Sequence, residues 1–241
     1  MTSAIVAPLL GRGWALRNRY GLGLVPVLLA SLFCVQPATP AHAESPRQDR
    51  DLDRKVRRFL DSHDWGWGDM SVPEVDGRTL HELVVKNGYQ RALEIGTSTG
   101  HSTIWIAWAL SKTGGKLITI EIDEGRHREA LANLEAAGLF DYVDARLADA
   151  HQLVPQLPGP FHFVFSDADK EWYTNYLVAV LPKLEVGGCF TAHNVSRRGG
   201  WGGRRRGGSG EFLDYLESLP NMETTIDSEG GGLSISYKRS E

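Results

Sequence analysis

The feature that most constrains this chain is an alternation. Short apolar runs at 91–95 (RALEI), 116–122 (KLITIEI), 142–147, 161–165 (FHFVF) and 188–192 are each bounded by glycine or polar residues. Between them lie stretches with helical spacing at 101–112, 126–137, 150–156 and 172–184. Strands that alternate with helices predict a parallel sheet covered on both faces. The right-handed crossover rule then narrows the topology to a doubly wound one. The end departs from the pattern: a helix at 211–219, a strand at 223–227, the triplet GGG, and a strand at 233–238 (LSISYK). Two strands joined by a tight glycine turn form a hairpin, so one terminal strand runs antiparallel. The expected fold class is α/β, a doubly wound, mostly parallel seven-stranded sheet with helices on both faces and a C-terminal antiparallel hairpin.

Two further helices precede the alternation. Leu52, Val56, Phe59 and Leu60 recur at helical spacing within 44–64, and Leu80, Leu83 and Val84 do so within 78–87, which Gly88 ends. DWGWGDMSVPEVDG between them reads as a turn-rich connector. The first 43 residues differ again. Arg12, Arg17 and Arg19 precede the apolar run 22–35 and the sequence PATPAHA. A basic start, an apolar stretch too short to span a bilayer and an A-x-A site predict a signal peptide cleaved after Ala43. The protein is then exported, periplasmic or secreted; the alternative is an anchor left uncleaved. After cleavage no stable membrane insertion is expected. Losing those three arginines takes the net charge from -4 to -7, which argues against a nucleic-acid partner. Cys34 is lost too, so Cys189, in an apolar stretch, has no internal partner and reads as a buried thiol.

In open parallel sheets ligands sit beyond the carboxyl ends of the strands. After the first strand comes EIGTSTGHS, where Gly96 and Gly100 let the backbone turn and approach a ligand. Its G-x-x-x-G spacing is not the G-x-G-x-x-G of dinucleotide binders. Glu94 ends that strand, where a carboxylate can meet an ammonium group. After the second strand stands Glu121, placed to accept ribose hydroxyls; Asp123 competes with it or caps the next helix. After the third come Asp149 and Ala150, at an adenine edge or at a helix cap. After the fourth comes FSDADKEWY, with Asp167, Asp169 and Lys170, and after the fifth His193 and Asn194. Asp167, His193 and Asn194 at adjacent strand ends suit a hard divalent cation. Lys170 suits a base if the cation and burial lower its pKa. The competing reading is a surface Asp–Lys pair on a polar loop.

EIGTSTGHSTIW, TIEID, FSDADKEWY and GGCFTAHNV, in this order, resemble the cation-dependent O-methyltransferases, the group of the catechol and caffeoyl-coenzyme-A enzymes. The likeness covers about 70–238 and implies a class I, Rossmann-like methyltransferase domain. It divides the chain into a leader (1–43), a helix and linker (44–69) and the S-adenosylmethionine-dependent domain (70–241). The resemblance implies that Glu94, Gly96, Thr97 and Ser102 hold the methionine part of S-adenosylmethionine, Glu121 the ribose and Ala150 the adenine edge, and that Val72 makes a backbone contact to the cofactor. Asp169 is implied near the cofactor, as is Asp167, which also binds metal with His193 and Asn194. Lys170 matches the catalytic lysine. The implied reaction is methyl transfer to a hydroxyl of a small aromatic vicinal diol, with a divalent cation assisting, and the resemblance allows a homodimer.

One departure stands out. The family carries Asp-Asn where this chain has His193-Asn194. A neutral nitrogen for an anionic oxygen leaves three outcomes: a site retuned towards softer ions such as manganese, a weaker magnesium site, or no metal. RRGGWGGRRRGGSG at 197–210 reads as a lid with Trp201 over the pocket, or as an Arg-Gly segment for acidic surfaces. The rival function is an exported protein that binds through this fold without catalysis.

Overall fold

Seven strands form one sheet in the order β3-β2-β1-β4-β5-β7-β6. They are β1 (Arg91–Ile95), β2 (Lys116–Glu121), β3 (Val143–Leu147), β4 (Phe161–Ser166), β5 (Leu184–His193), β6 (Met222–Asp227) and β7 (Leu233–Lys238). The first five run parallel, and β7 lies antiparallel to both β5 and β6. A computed structural model describes residues 46–63, 71–196 and 208–241. The expected leader, most of the linker with Trp65 and Trp67, and most of the arginine-glycine segment with Trp201 lie outside those residues.

Among the described residues the α-helices are α1 (Pro46–Ser62), α2 (Glu74–Asn87), α3 (His101–Thr113), α4 (Glu124–Ala137), α5 (Ala150–Leu153), α6 (Tyr173–Val180) and α7 (Gly208–Ser218). Their packing follows from the period of two along each strand. In β1, Leu93 and Ile95 face a core built with Tyr173, Leu177 and Phe212 of α6 and α7. Ala92 faces the other way, towards Leu80 of α2 and Ile106 and Leu110 of α3. Both faces are therefore covered, and the central strands are buried on both sides rather than alternating.

The first ten residues of α3 are all buried. A helix that is apolar all round must be enclosed. Its far side is closed by α1, where Val56, Phe59 and Leu60 pack on Trp105, Trp108 and Leu134. Burying three such side chains contributes on the order of 5 kcal/mol. Among the described residues no helix is long and apolar enough to cross a membrane.

Two boundaries differ from expectation in ways that matter. Helix α2 begins at Glu74, not at 78, because Pro73 stands at its N-cap and Glu74 and Asp76 occupy the first turn. Strand β5 extends over ten residues to His193, since Ala192 and His193 pair with Ser234 and Leu233 of β7. Cys189 is fully buried in that strand, and burial pushes its thiol up to about 12.

Candidate active site at the strand ends

Strand order reverses direction between β1 and β4, and a cavity of about 400 Å³ opens at the carboxyl ends there. Of the expected residues, Gly96, Thr97, Ser102, Glu121, Ala150, Asp167 and Asp169 line it. The turn after β1 shapes one wall. Gly96 has φ +99, and a Cβ there would lie 2.8 Å from the Asp167 carbonyl oxygen. Only glycine lets the β1 and β4 loops approach this closely.

Glu94 does not line the cavity. It is wholly buried behind the loop and accepts from Ser102 Oγ (2.6 Å), Thr103 Oγ1 (2.5 Å) and Thr119 Oγ1 (2.6 Å). Its β2 neighbour in register is that same Thr119. The carboxyl therefore ties α3 and β2 to β1. Burial pushes its pKa up to about 7 against the pull of the three hydroxyls, and the Asp167 charge adds to the rise. This replaces direct contact with an ammonium group by a structural role.

Glu121 is buried at the cavity wall. Its Oε2 accepts from the Ser98 amide (2.8 Å), and its Oε1 from Asp123 N (2.9 Å) and Arg126 Nη2 (2.7 Å). Arg126 lines the cavity too and was not foreseen. Asp123 is the N-cap of α4, accepting from Arg126 N at 2.8 Å. Asp149 likewise caps α5, with its side chain on His151 N at 2.9 Å, while also lining the cavity. Beside Ala150, His151 stacks on Trp172 at 3.7 Å and 13°. Val72 is buried in the core, and it is the adjacent Ser71 that reaches the cavity.

The β4–β5 side differs most from expectation. Asp167 Oδ2 lies 3.2 Å from His193 Nδ1, and His193 Nε2 lies 2.9 Å from Asp76 Oδ2. Tyr173 donates to the His193 carbonyl at 3.1 Å. Asp76 was read as part of a loose connector; it lies on the first turn of α2 and is only 1% exposed. Pro73 at a helix start was the one local signal that could have placed it. Burial pulls the imidazole down, but the two carboxylates outweigh this and raise its pKa to about 9.

Of the expected metal ligands, Asp167 and His193 come together at 3.2 Å, while Asn194 does not line the cavity. Both nitrogens of His193 already face carboxylates, and Asn194 is exposed on left-handed backbone at φ +56. Among the described residues no group of three or more His, Cys, Asp and Glu side chains is arranged to hold a metal ion. The donor set present does not fit the cation that the resemblance implies. Lys170 is exposed on a single 3-10 turn and does not line the cavity, so the burial invoked for it is missing.

A doubly wound sheet with a glycine turn, a buried acid after β2 and a cavity across the β1–β4 reversal defines a ligand-binding α/β protein of nucleotide type. Residues 43–203 match the model of a family described as O-methyltransferase, and the chain belongs to that family. Among curated proteins it is similar to the catechol O-methyltransferase of Niastella koreensis, with 40% identity over 134 residues, 54% of this chain and 60% of that one. It is also similar to caffeoyl-CoA O-methyltransferase 1 of Eucalyptus globulus, with 30% identity over 155 residues, 62% of this chain and 61% of that one. The chain thus spans about three fifths of the length of these relatives. Among solved structures it is similar to the O-methyltransferase from Bacillus cereus in complex with SAH. That likeness has 27% identity and a TM-score of 0.64, and it covers 79% of this chain and 91% of that one.

Proposed function

We propose that this protein transfers the methyl group of S-adenosylmethionine to a hydroxyl oxygen of a small aromatic vicinal diol. The observation that carries the reading is the convergence of Gly96, Thr97, Ser102, Glu121, Ala150 and Asp167 on one cavity in a member of this family. The names of the relatives, and the SAH in the Bacillus cereus neighbour, support the cofactor and the substrate class.

In this reading Gly96, Thr97 and Ser102 receive the amino-acid part. Glu121 accepts the ribose hydroxyls and Ala150 meets the adenine. The substrate oxygen attacks the sulfonium methyl in line, a C–O bond forms as the C–S bond breaks, and the cofactor leaves as a neutral thioether. Holding both reactants in that geometry supplies up to about 7–11 kcal/mol in favourable cases. Lys170 takes the hydroxyl proton. A bound aromatic covering the turn supplies the desolvation that Lys170 lacks here, since catalytic contacts tighten on substrate binding. Metal assistance is left out, because the side chains at Asp167 and His193 do not fit a ligand set. Export remains part of the proposal, to be checked by the N-terminal residue of protein recovered from each cell fraction.

Calorimetric titration with S-adenosylmethionine, followed by turnover of a catechol panel, tests the reading. Binding together with turnover that falls about 10²–10⁴-fold in Lys170→Met is the expected outcome. Cofactor binding with no methylated product from any diol would favour the second reading, an exported binding protein, which the His193 replacement supports.

A further inference from the structure

The array at the end of β5 has a consequence for the cation. His193 has Asp76 Oδ2 at 2.9 Å from Nε2 and Asp167 Oδ2 at 3.2 Å from Nδ1. A carboxylate offers only lone pairs, so a ring bonded to one at each end donates from both nitrogens and carries a positive charge. A metal would need a free lone pair on a neutral ring. Were one carboxyl to hold the proton instead, the ring's remaining lone pair would accept that proton's hydrogen bond. Neither arrangement leaves a nitrogen for a metal.

The surroundings hold the ring in place. His193 is 4% exposed and Asp76 1%. The Gly231 amide donates to Asp76 Oδ2 at 2.7 Å. A Cβ at Gly231 would lie 2.4 Å from His193 Nε2, and one at Gly230 would lie 2.1 Å from Asp76 Oδ1. The glycine turn between β6 and β7 therefore closes directly over the pair. A divalent cation asks for six or more oxygens, several of them water, and the closed His193–Asp76 end of the array leaves no room for such a shell.

We propose that the hydrogen-bonded Asp76–His193–Asp167 array occupies the place of the divalent cation, so that no metal binds there. The inference deepens the methyl-transfer reading and rests on it for its catalytic meaning: His193 is a positioning residue that holds the Asp167 carboxylate at the cavity wall. Its claim about metal binding stands apart and can be measured alone.

Mn²⁺ added to the full-length protein is followed by the paramagnetic resonance of the free ion, with S-adenosylmethionine binding measured in parallel by calorimetry. The native protein is expected to leave the free-ion signal undiminished at equimolar metal. The double variant Asp76→Asn with His193→Asp puts a carboxylate at position 193 beside that of Asp167, removes the buried Asp76 charge, and is expected to take up one equivalent. Stoichiometric uptake by the native protein that His193→Gln abolishes overturns the proposal. So does a folded double variant that stays free of metal. Should the double variant fail to fold, nitrogen-15 spectra of His193 in the native protein decide: ring signals unchanged by equimolar Mn²⁺ are expected, and their paramagnetic broadening overturns the proposal. Loss of S-adenosylmethionine binding alongside the expected Mn²⁺ results would sink the methyl-transfer reading and leave the metal result standing.

Discussion

Two acidic centres, one on β1 and the other where α2, the end of β4 and β5 meet, solve the cost of burial differently. On the cofactor side Glu94 is surrounded by three neutral hydroxyls. On the acceptor side Asp76 and Asp167 share one imidazole. Hydroxyl donors only partly offset desolvation, so the Glu94 carboxyl titrates near neutrality, at about 7. An opposite charge does more, and the His193 ring is held protonated to about 9. The first centre joins neighbours in sequence and in register; the second bridges residues 117 positions apart. A carboxylate caged by hydroxyls can lose its charge and keep its bonds. A carboxylate paired with an imidazolium cannot lose its partner without stranding a buried charge.

That contrast can be broken most directly at Asp76. Asp76→Ala leaves His193 with one carboxylate in a closed site and is expected to cost about 3–5 kcal/mol, read from the urea unfolding midpoint. A cost below about 1 kcal/mol would mean that the array adds no stability.

The next effect is a pH dependence set by Glu94. Its folded pKa of about 7 lies above the ordinary 4.5, so the folded state binds the proton more tightly. The stabilisation is complete below pH 4.5 and is lost as pH rises to 7, by roughly 3 kcal/mol. Glu94→Gln should flatten that slope in unfolding measurements made across this range. An unchanged slope would show that some other group carries it.

Glycine substitutions then separate the two sides. Gly231→Ala pushes a methyl into the His193 ring and should cost about 1–3 kcal/mol while leaving cofactor affinity intact. Gly96→Ala meets the Asp167 carbonyl and a positive φ, and should abolish S-adenosylmethionine binding in calorimetry. Equal cofactor affinity in both variants would erase the distinction.

The smallest effect is expected at Arg126, which occupies Glu121 Oε1 at 2.7 Å. Glu121 is buried but keeps the Ser98, Ile122 and Asp123 amides, and the guanidinium is half-buried, so losing this pair is worth about 1 kcal/mol. Arg126→Ala should therefore tighten S-adenosylmethionine up to about fivefold by freeing that oxygen for ribose. Weaker binding would show that the guanidinium belongs to the cofactor site.

The cofactor side was legible in the sequence because it follows from local rules. Apolar runs end where strands end, so Gly96, Glu121, Ala150 and Asp167 could be placed at one rim without knowing any long-range contact. The acceptor side was not. Asp76 sits in a stretch that reads as turns, and its partner lies on another strand. GGG read as a hairpin turn, which it is, but its second task of closing over Asp76 and His193 depends on where the hairpin docks. Lys170 and Asn194 were placed near the rim correctly along the chain. Their side chains do not join the cavity: Asn194 sits one step past β5 on left-handed backbone at φ +56, and Lys170 lies on an exposed 3-10 turn beyond β4.

By itself the sequence determined the alternating elements, the doubly wound class of their sheet and the acids at the strand tips, since hydrophobic period and glycine punctuation act over a few residues. Only the tertiary structure decided which charges became partners. Pairing Asp76 with His193 requires α2, β5 and the last hairpin to meet, and the strength of a buried interaction is set by that enclosure and not by the residues' places in the chain.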